Sequence, residues 1–274
     1  MRGFLNSSPN VREISKDMDP TGLQIGLVPG LERGVMDDDL WHSHIEQNKL
    51  LKDSDIQPVD EEHIAALSRL IEKCNAKGIF GIHLGHKHFD LRKGTHLAGR
   101  LDTDDDTDDK RKYYWIRAAE NDESDASKLC GHIFIYDQDE GFRPIGFHEG
   151  PMPDLSTVDR KLFPKFGSYL VEHKLEHRIA LEYLIPELRG RAILELVFHV
   201  EQHILLFESE TVPPSLGEPV VTAYSYDRSG VAFGPGTRYI RPPGSTEHTV
   251  YNEDELIRLK GAVNTFRQLD VLRI

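Results

Sequence analysis

Residues 131–149, GHIFIYDQDEGFRPIGFHE, place two runs rich in Ile, Phe and Tyr on either side of a short polar loop that contains glycine. That pattern makes an antiparallel hairpin. It commits the chain to a sheet with sequential strands side by side, which strict alternation of strand and helix does not produce. Pro144 has no N–H to give to a ladder, which places the second arm at a sheet edge. KYYWIRAAE upstream, and PVVTAYSYD and TRYIRPP downstream, add further strands.

Helical spacing occurs between them. In VDEEHIAALSRLIEKCNAKG, Asp60 precedes the helix, Ile64, Leu67, Leu70 and Ile71 share a stripe, and Gly78 stops it. FPKFGSYLVEHKLEHRIALEYLIPE reads as a longer helix ended by Pro186 and Gly190. RAILELVFHVEQHILLFESE is a second long apolar segment, and NEDELIRLKGAVNTFRQL a helix with an acidic first turn. The expected fold class is therefore α+β: a mixed, mainly antiparallel sheet with hairpins, packed against several helices. A single domain over residues 1–274 is expected, with residues 1–35 as an extended lead-in and residues 101–112 as an acidic exposed loop.

Composition excludes some partners. The net charge is −13 and no basic run exceeds KRK, so a nucleic-acid-binding surface is not expected. Cys74 and Cys130 are too few for a disulfide scaffold, and the sequence carries neither a signal-peptide pattern nor an apolar stretch of membrane-spanning length. A cytoplasmic protein with a small-molecule substrate, and neither nucleic acid nor membrane as partner, is the expectation.

Histidine is the unusual residue: there are fourteen, four of them within GIFGIHLGHKHFDLRKGTHLAG at 78–99. If that stretch stays extended, Phe80, Ile82, Leu84, His86, His88 and Asp90 share one face, and Gly81, His83 and Gly85 the other. Two imidazoles at i and i+2 with an added carboxylate are the elements of a two-His, one-carboxylate metal site of His86, His88 and Asp90. His88-Phe89-Asp90 also resembles the H-x-D motif of iron and 2-oxoglutarate oxygenases, whose distal His and Arg would fall on His248 and Arg258.

A second group follows. On a helix, Phe166, Tyr169, Leu170, His173, His177, Ala180, Leu181 and Leu184 form one stripe, with the two imidazoles in its middle. Glu195, His199 and His203 share a side in either a helix or a strand. Two antiparallel helices would bring His173 opposite His203 and His177 opposite His199, with Glu195 as an oxygen ligand or general base. The string His173-Lys174-Leu175-Glu176-His177 is similar to the H-x-x-E-H motif of inverzincin peptidases, which would add a later ligand such as Glu253 or Glu255. The glycine-rich surroundings of that motif are absent.

His148 and Glu149, at the end of the hairpin's second arm, are candidates for acid–base work, as is Glu195. No nucleophile elbow, phosphate-binding loop or dinucleotide fingerprint is present. These residues suggest an enzyme acting on a small organic molecule in a His-rich pocket, with zinc or iron activating water, dioxygen or a substrate oxygen. A metal-free lyase, isomerase or cyclase using the same His and Glu residues is one alternative, and a non-catalytic binding protein with structural histidines another. The open question is whether the 86–90 edge meets the stripe of residues 173–203.

Overall fold

Short strands, most of them buried along nearly their whole length, close into one sheet in the computed structural model, which describes residues 27–56, 58–103, 112–198, 202–208 and 218–241. The strands are β1 (Phe80–Leu84), β2 (Thr95–Thr103), β3 (Lys112–Glu120), β4 (Leu129–Asp137) and β5 (Gly141–Glu149), then β6 (Ile179–Tyr183), β7 (Ile193–Phe198), β8 (His203–Glu208), β9 (Glu218–Tyr226) and β10 (Phe233–Arg241). Their order around the barrel is β1, β6, β4, β5, β2, β3, β8, β7, β10, β9, and β9 pairs back onto β1. Two neighbouring pairs, β2 with β5 and β7 with β10, run parallel; the others are antiparallel.

The β4–β5 hairpin shows how the turns are made. Asp137 Oδ1 accepts from the backbone N–H of Asp139 (2.8 Å) and Glu140 (3.0 Å), and Gly141 takes φ +78, a conformation that favours glycine.

Cross-strand partners share a face, so the register divides inside from outside. Gly81 pairs with Glu182, His83 with Ala180, Ile116 with Ile204 and Glu195 with Leu206; these point inward. Phe80, Ile82 and Leu84 point outward, yet are buried, because helices cover them. Helix α2 (Glu61–Lys73) lays Ile64, Leu67 and Ile71 on that face, and α3 (Leu162–His173) adds Phe163, edge-on to Phe80 at 5.9 Å. Helix α1 (Asp37–Lys49) packs Leu40 against Phe147 and Leu129 over another sector of the barrel. Asp39 on α1 is buried and takes a two-pronged ion pair from Arg33 (2.7 and 2.8 Å).

The expected α+β packing of a sheet against several helices is thus overturned: among the described residues, ten strands close into a barrel that carries three short α-helices. The cause lies in two segments. The 166–185 stripe does not stay helical, because α3 stops at Lys174 in the left-handed region (φ 56), and Ile179–Tyr183 extends as β6. The next apolar segment is a hairpin of β7 and β8 rather than a helix. Pro144 does not mark an edge either, since β2 joins β5 at Gly146–His148, beyond the proline. The lead-in up to residue 26, the acidic run over 104–111, His199 and the expected helix over 252–269 lie outside the described residues. Among the described residues no helix is long and apolar enough to cross a membrane.

Helix α3 sits close to the sheet only because Gly167 faces Tyr136. A Cβ added there would lie 2.2 Å from a ring carbon of that buried tyrosine. Gly167→Ala gains about 1 kcal/mol of helix propensity, but overpacking costs about 1–3 kcal/mol. Urea unfolding is expected to show a net loss of up to about 2 kcal/mol; a rise in midpoint would refute the close packing of α3 on β4.

Candidate metal centre inside the barrel

The two key histidines arrive by leaving the strand. After Leu84, the N–H of Gly85 donates to the Arg178 carbonyl (2.9 Å), and a Cβ at Gly85 would lie 2.4 Å from the His177 carbonyl oxygen. Only glycine permits that approach. The next residues are pinned to the segment after α1: Lys87 N–H donates to the Leu51 carbonyl (2.8 Å), and Asp53 N–H donates to the Lys87 carbonyl (3.1 Å). His86 and His88 are thereby folded over one end of the barrel, next to the 3₁₀ turn Asp53–Asp55.

There they meet Glu195 of β7. One donor atom from each of His86, His88 and Glu195 lies within 4.8 Å of the others. Ligands about 2.0–2.2 Å from a common ion stand about 3 Å apart, so a small adjustment would let this set hold a metal. His86 Nδ1 donates to the Leu84 carbonyl (2.6 Å), which makes Nε2 its lone-pair nitrogen. His88 Nε2 is 2.5 Å from Glu195 Oε1, and its Nδ1 is 3.8 Å from Asp53 Oδ2. Thr222 Oγ1 donates to the other Glu195 oxygen (3.2 Å). Two histidines and a carboxylate, backed by a carbonyl, a second carboxylate and a hydroxyl, form a recurrent metal-binding set.

The two imidazoles differ electrically. Burial pulls the His88 pKa down, but the carboxylates of Glu195 and Asp53 outweigh it and raise it to about 9. Burial, followed by the neighbouring His88 and His83, holds His86 well below its usual range. One imidazole thus holds a proton at neutral pH while the other does not.

A second polar group lies farther along the interior. His83 stacks on His86 with ring centroids 5.2 Å apart and planes 10° from parallel. Its Nδ1 is 3.8 Å from Glu182 Oε2, and His132 Nε2 is 3.5 Å from Glu182 Oε1. Burial opposes ionisation of Glu182, yet His132 and His83 hold its carboxyl at about 2. The remaining cavity wall is largely apolar, including Leu97, Ile116, Ile133, Ile204 and Leu206, and Gln47 of α1 also reaches it.

The sequence-derived candidates divide accordingly. His86, His88 and Glu195 come together. Asp90, the carboxylate expected beside the two histidines, is on the surface, paired with Lys87 Nζ at 2.8 Å; Glu195 stands in its place. His173 and His177 are exposed, His173 packing 4.3 Å from the Tyr169 ring and 4.9 Å from His63. His203 begins β8, edge-on to Trp115, so the facing of His173 with His203 on paired helices does not occur. His199, His248, Glu253, Glu255 and Arg258 lie outside the described residues. His148 points inward beside Tyr114 (5.6 Å between rings), where burial, and then His132, lower its pKa to about 4. Glu149 is exposed on the outer wall, 3.7 Å from Arg117.

Sequence reasoning missed Asp53, His83, His132 and Glu182. A signal for Glu182 exists: it is the lone charge in IALEYLI, just as Glu195 is in ILELVF. A carboxylate centred in a buried strand needs a partner.

No protein-family model, no curated protein and no solved structure matches this chain.

Proposed function

We propose that this chain is an enzyme that binds one transition-metal ion, zinc or iron, at His86, His88 and Glu195 and acts on a small organic molecule in the barrel. The observation that carries the reading is the convergence of those three donors inside a closed barrel. A two-His, one-carboxylate set leaves coordination positions for substrate, and a metal there supplies Lewis acidity toward water, dioxygen or a substrate oxygen. Leu84 and Asp53 orient the imidazoles, and Glu182 with His132 offers an ionised carboxylate and an imidazole on the path along the interior for proton transfer. Free thiols at Cys74 and Cys130 fit the cytoplasmic setting that belongs to this proposal.

A second reading rests on the 2.5 Å contact of His88 with Glu195: a metal-free lyase, isomerase or cyclase in which that charged pair moves protons. Metal analysis of untagged protein separates the two. The metal reading expects close to one zinc or iron per chain, removed by a strong chelator and restored by zinc or cobalt with a rise in melting temperature. Substoichiometric metal, with neither ion binding after chelation, overturns it in favour of the metal-free reading.

A further inference from the structure

Two more histidines meet outside the barrel. His63 lies in the first turn of α2 and His173 is the last residue of α3, and their ring centres are 4.9 Å apart with planes at 57°. Two imidazoles that share one ion at about 2.0–2.1 Å, at angles of about 90–110°, hold their ring centres about 4.5–5.2 Å apart. The pair stands inside that range, as does the interior pair of His86 and His88 at 4.6 Å.

Tyr169 supports both rings. Its hydroxyl is 2.9 Å from His63 Nδ1, and its ring packs 4.3 Å from that of His173. In the tautomer whose Nδ1–H donates to that hydroxyl, His63 keeps its lone pair on Nε2, as a ligating imidazole does when its second nitrogen is anchored. His173 is exposed and makes no hydrogen bond or ion pair among the described residues, so its ring can turn toward an ion without breaking one.

The surrounding charges decide which ion. Glu62 and Glu172 act on Tyr169, but Arg69 acts against them, and Lys174 follows His173 in the chain. With the carboxylates offset in this way, the imidazoles dominate the donor set. They suit zinc, nickel or copper, whereas calcium and magnesium take oxygen ligands.

We propose that His63 and His173 form an exterior site for one divalent transition-metal ion, which clamps the start of α2 to the end of α3. The site is separate from the interior triad and does not rest on the metal reading above. It lies at a joint of the fold. Arg178 Nη2 donates to the Pro58 carbonyl (2.8 Å), just ahead of α2, and the Arg178 carbonyl accepts from the N–H of Gly85 (2.9 Å), next to His86. An ion on the pair braces α2 against the turn that holds the His86–His88 segment in place.

The test titrates zinc, with nickel as a second ion and calcium as the oxygen-seeking comparison, into the untagged full chain, His88→Ala, His173→Gln and the double variant. Calorimetry counts the ions and thermal melting reads their effect. His88→Ala, whose interior set is broken, is expected to take up one zinc per chain with a rise in melting temperature, and no calcium. Adding His173→Gln should weaken that uptake at least about tenfold and abolish the rise, since even an outer-shell partner of a ligand is worth about 10–100-fold. His63→Gln is the second variant should the first misfold. Equal zinc affinity in the folded double variant, no zinc uptake by His88→Ala, or calcium bound as tightly as zinc overturns the exterior site. Zinc uptake by His173→Gln that is unchanged when His88→Ala is added defeats the interior metal alone.

Discussion

His88→Ala is expected to weaken zinc or cobalt binding by at least about 100-fold, because replacing even an outer-shell partner of a ligand typically costs about 10–100-fold. Asp53→Asn, at the side chain that faces the far nitrogen of the His88 ring, falls in that smaller range. The pH dependence of binding is more diagnostic than either loss. With its pKa raised to about 9, His88 carries a proton at neutral pH that an incoming metal must displace. His86, held well below its usual range, carries none to release. Affinity measured by competition with a chelator should therefore rise about tenfold per pH unit from about 7 to 9, with one proton released, and then level off. A flat profile over that range would remove His88 from the ligand set. In metal-free protein the same raised pKa contributes stability that is fully present below about 6.5 and is lost as pH rises through about 9.

Glu182→Gln should remove a defined part of the acid sensitivity of folding. The parent carboxyl is held at about 2 when folded, against an ordinary glutamate value of 4.5, despite a burial that opposes ionisation; His132 and His83 account for the difference. A depressed carboxyl pKa stabilises the fold above the unfolded value and loses that contribution as pH falls through the folded one. The contribution is on the order of 3 kcal/mol above pH about 4.5, disappearing toward pH about 2. Urea midpoints across this window should fall for the parent and converge with those of the variant, which starts lower at neutral pH. The depressed histidines, His86 and His148, give both proteins a further decline that begins near pH 6.5 and does not distinguish them. Parallel curves for parent and variant would show that Glu182 is not ionised in the native barrel.

Both effects trace to residues whose grouping was only partly legible in the sequence. The β4–β5 hairpin was readable because its alternation and its turn chemistry agree, and α2 because its apolar stripe is continuous. The segment over 166–208 was not. Its apolar residues satisfy a helical stripe as well as buried strands, and Lys174, which stops α3 in the left-handed region, is not a residue that announces a helix end. Once 166–185 reads as one helix, Glu182 falls off its buried stripe and out of consideration.

The histidine segment fails in a related way. Period-two phasing holds through Leu84, where β1 ends, and has no meaning for His86 and His88, whose placement follows from backbone bonds to Leu51 and Asp53. The inward side chain of β1 is that of His83, which phasing sets on the face opposite His86 and His88. Glu195 was legible as a candidate oxygen ligand or general base; its meeting with residues more than a hundred positions away depends on the order of strands, which local pattern does not encode.

That order concentrates weakness at particular places. The seam that closes the ring, β1 on β9, has only the pairs Ile82 with Tyr224 and His83 with Ala223 in register, and β4 meets β6 over two pairs as well. Between them lie just β1 and β6, one carrying His83 and leading into His86 and His88, the other carrying Glu182. These two strands, bound to each other over five pairs, form a stave joined more extensively within itself than to β9 or β4. Were that stave to part from the ring, the imidazoles would leave with it and Glu195 would stay behind on β7, so a metal held by the three would act as a rivet across those joints.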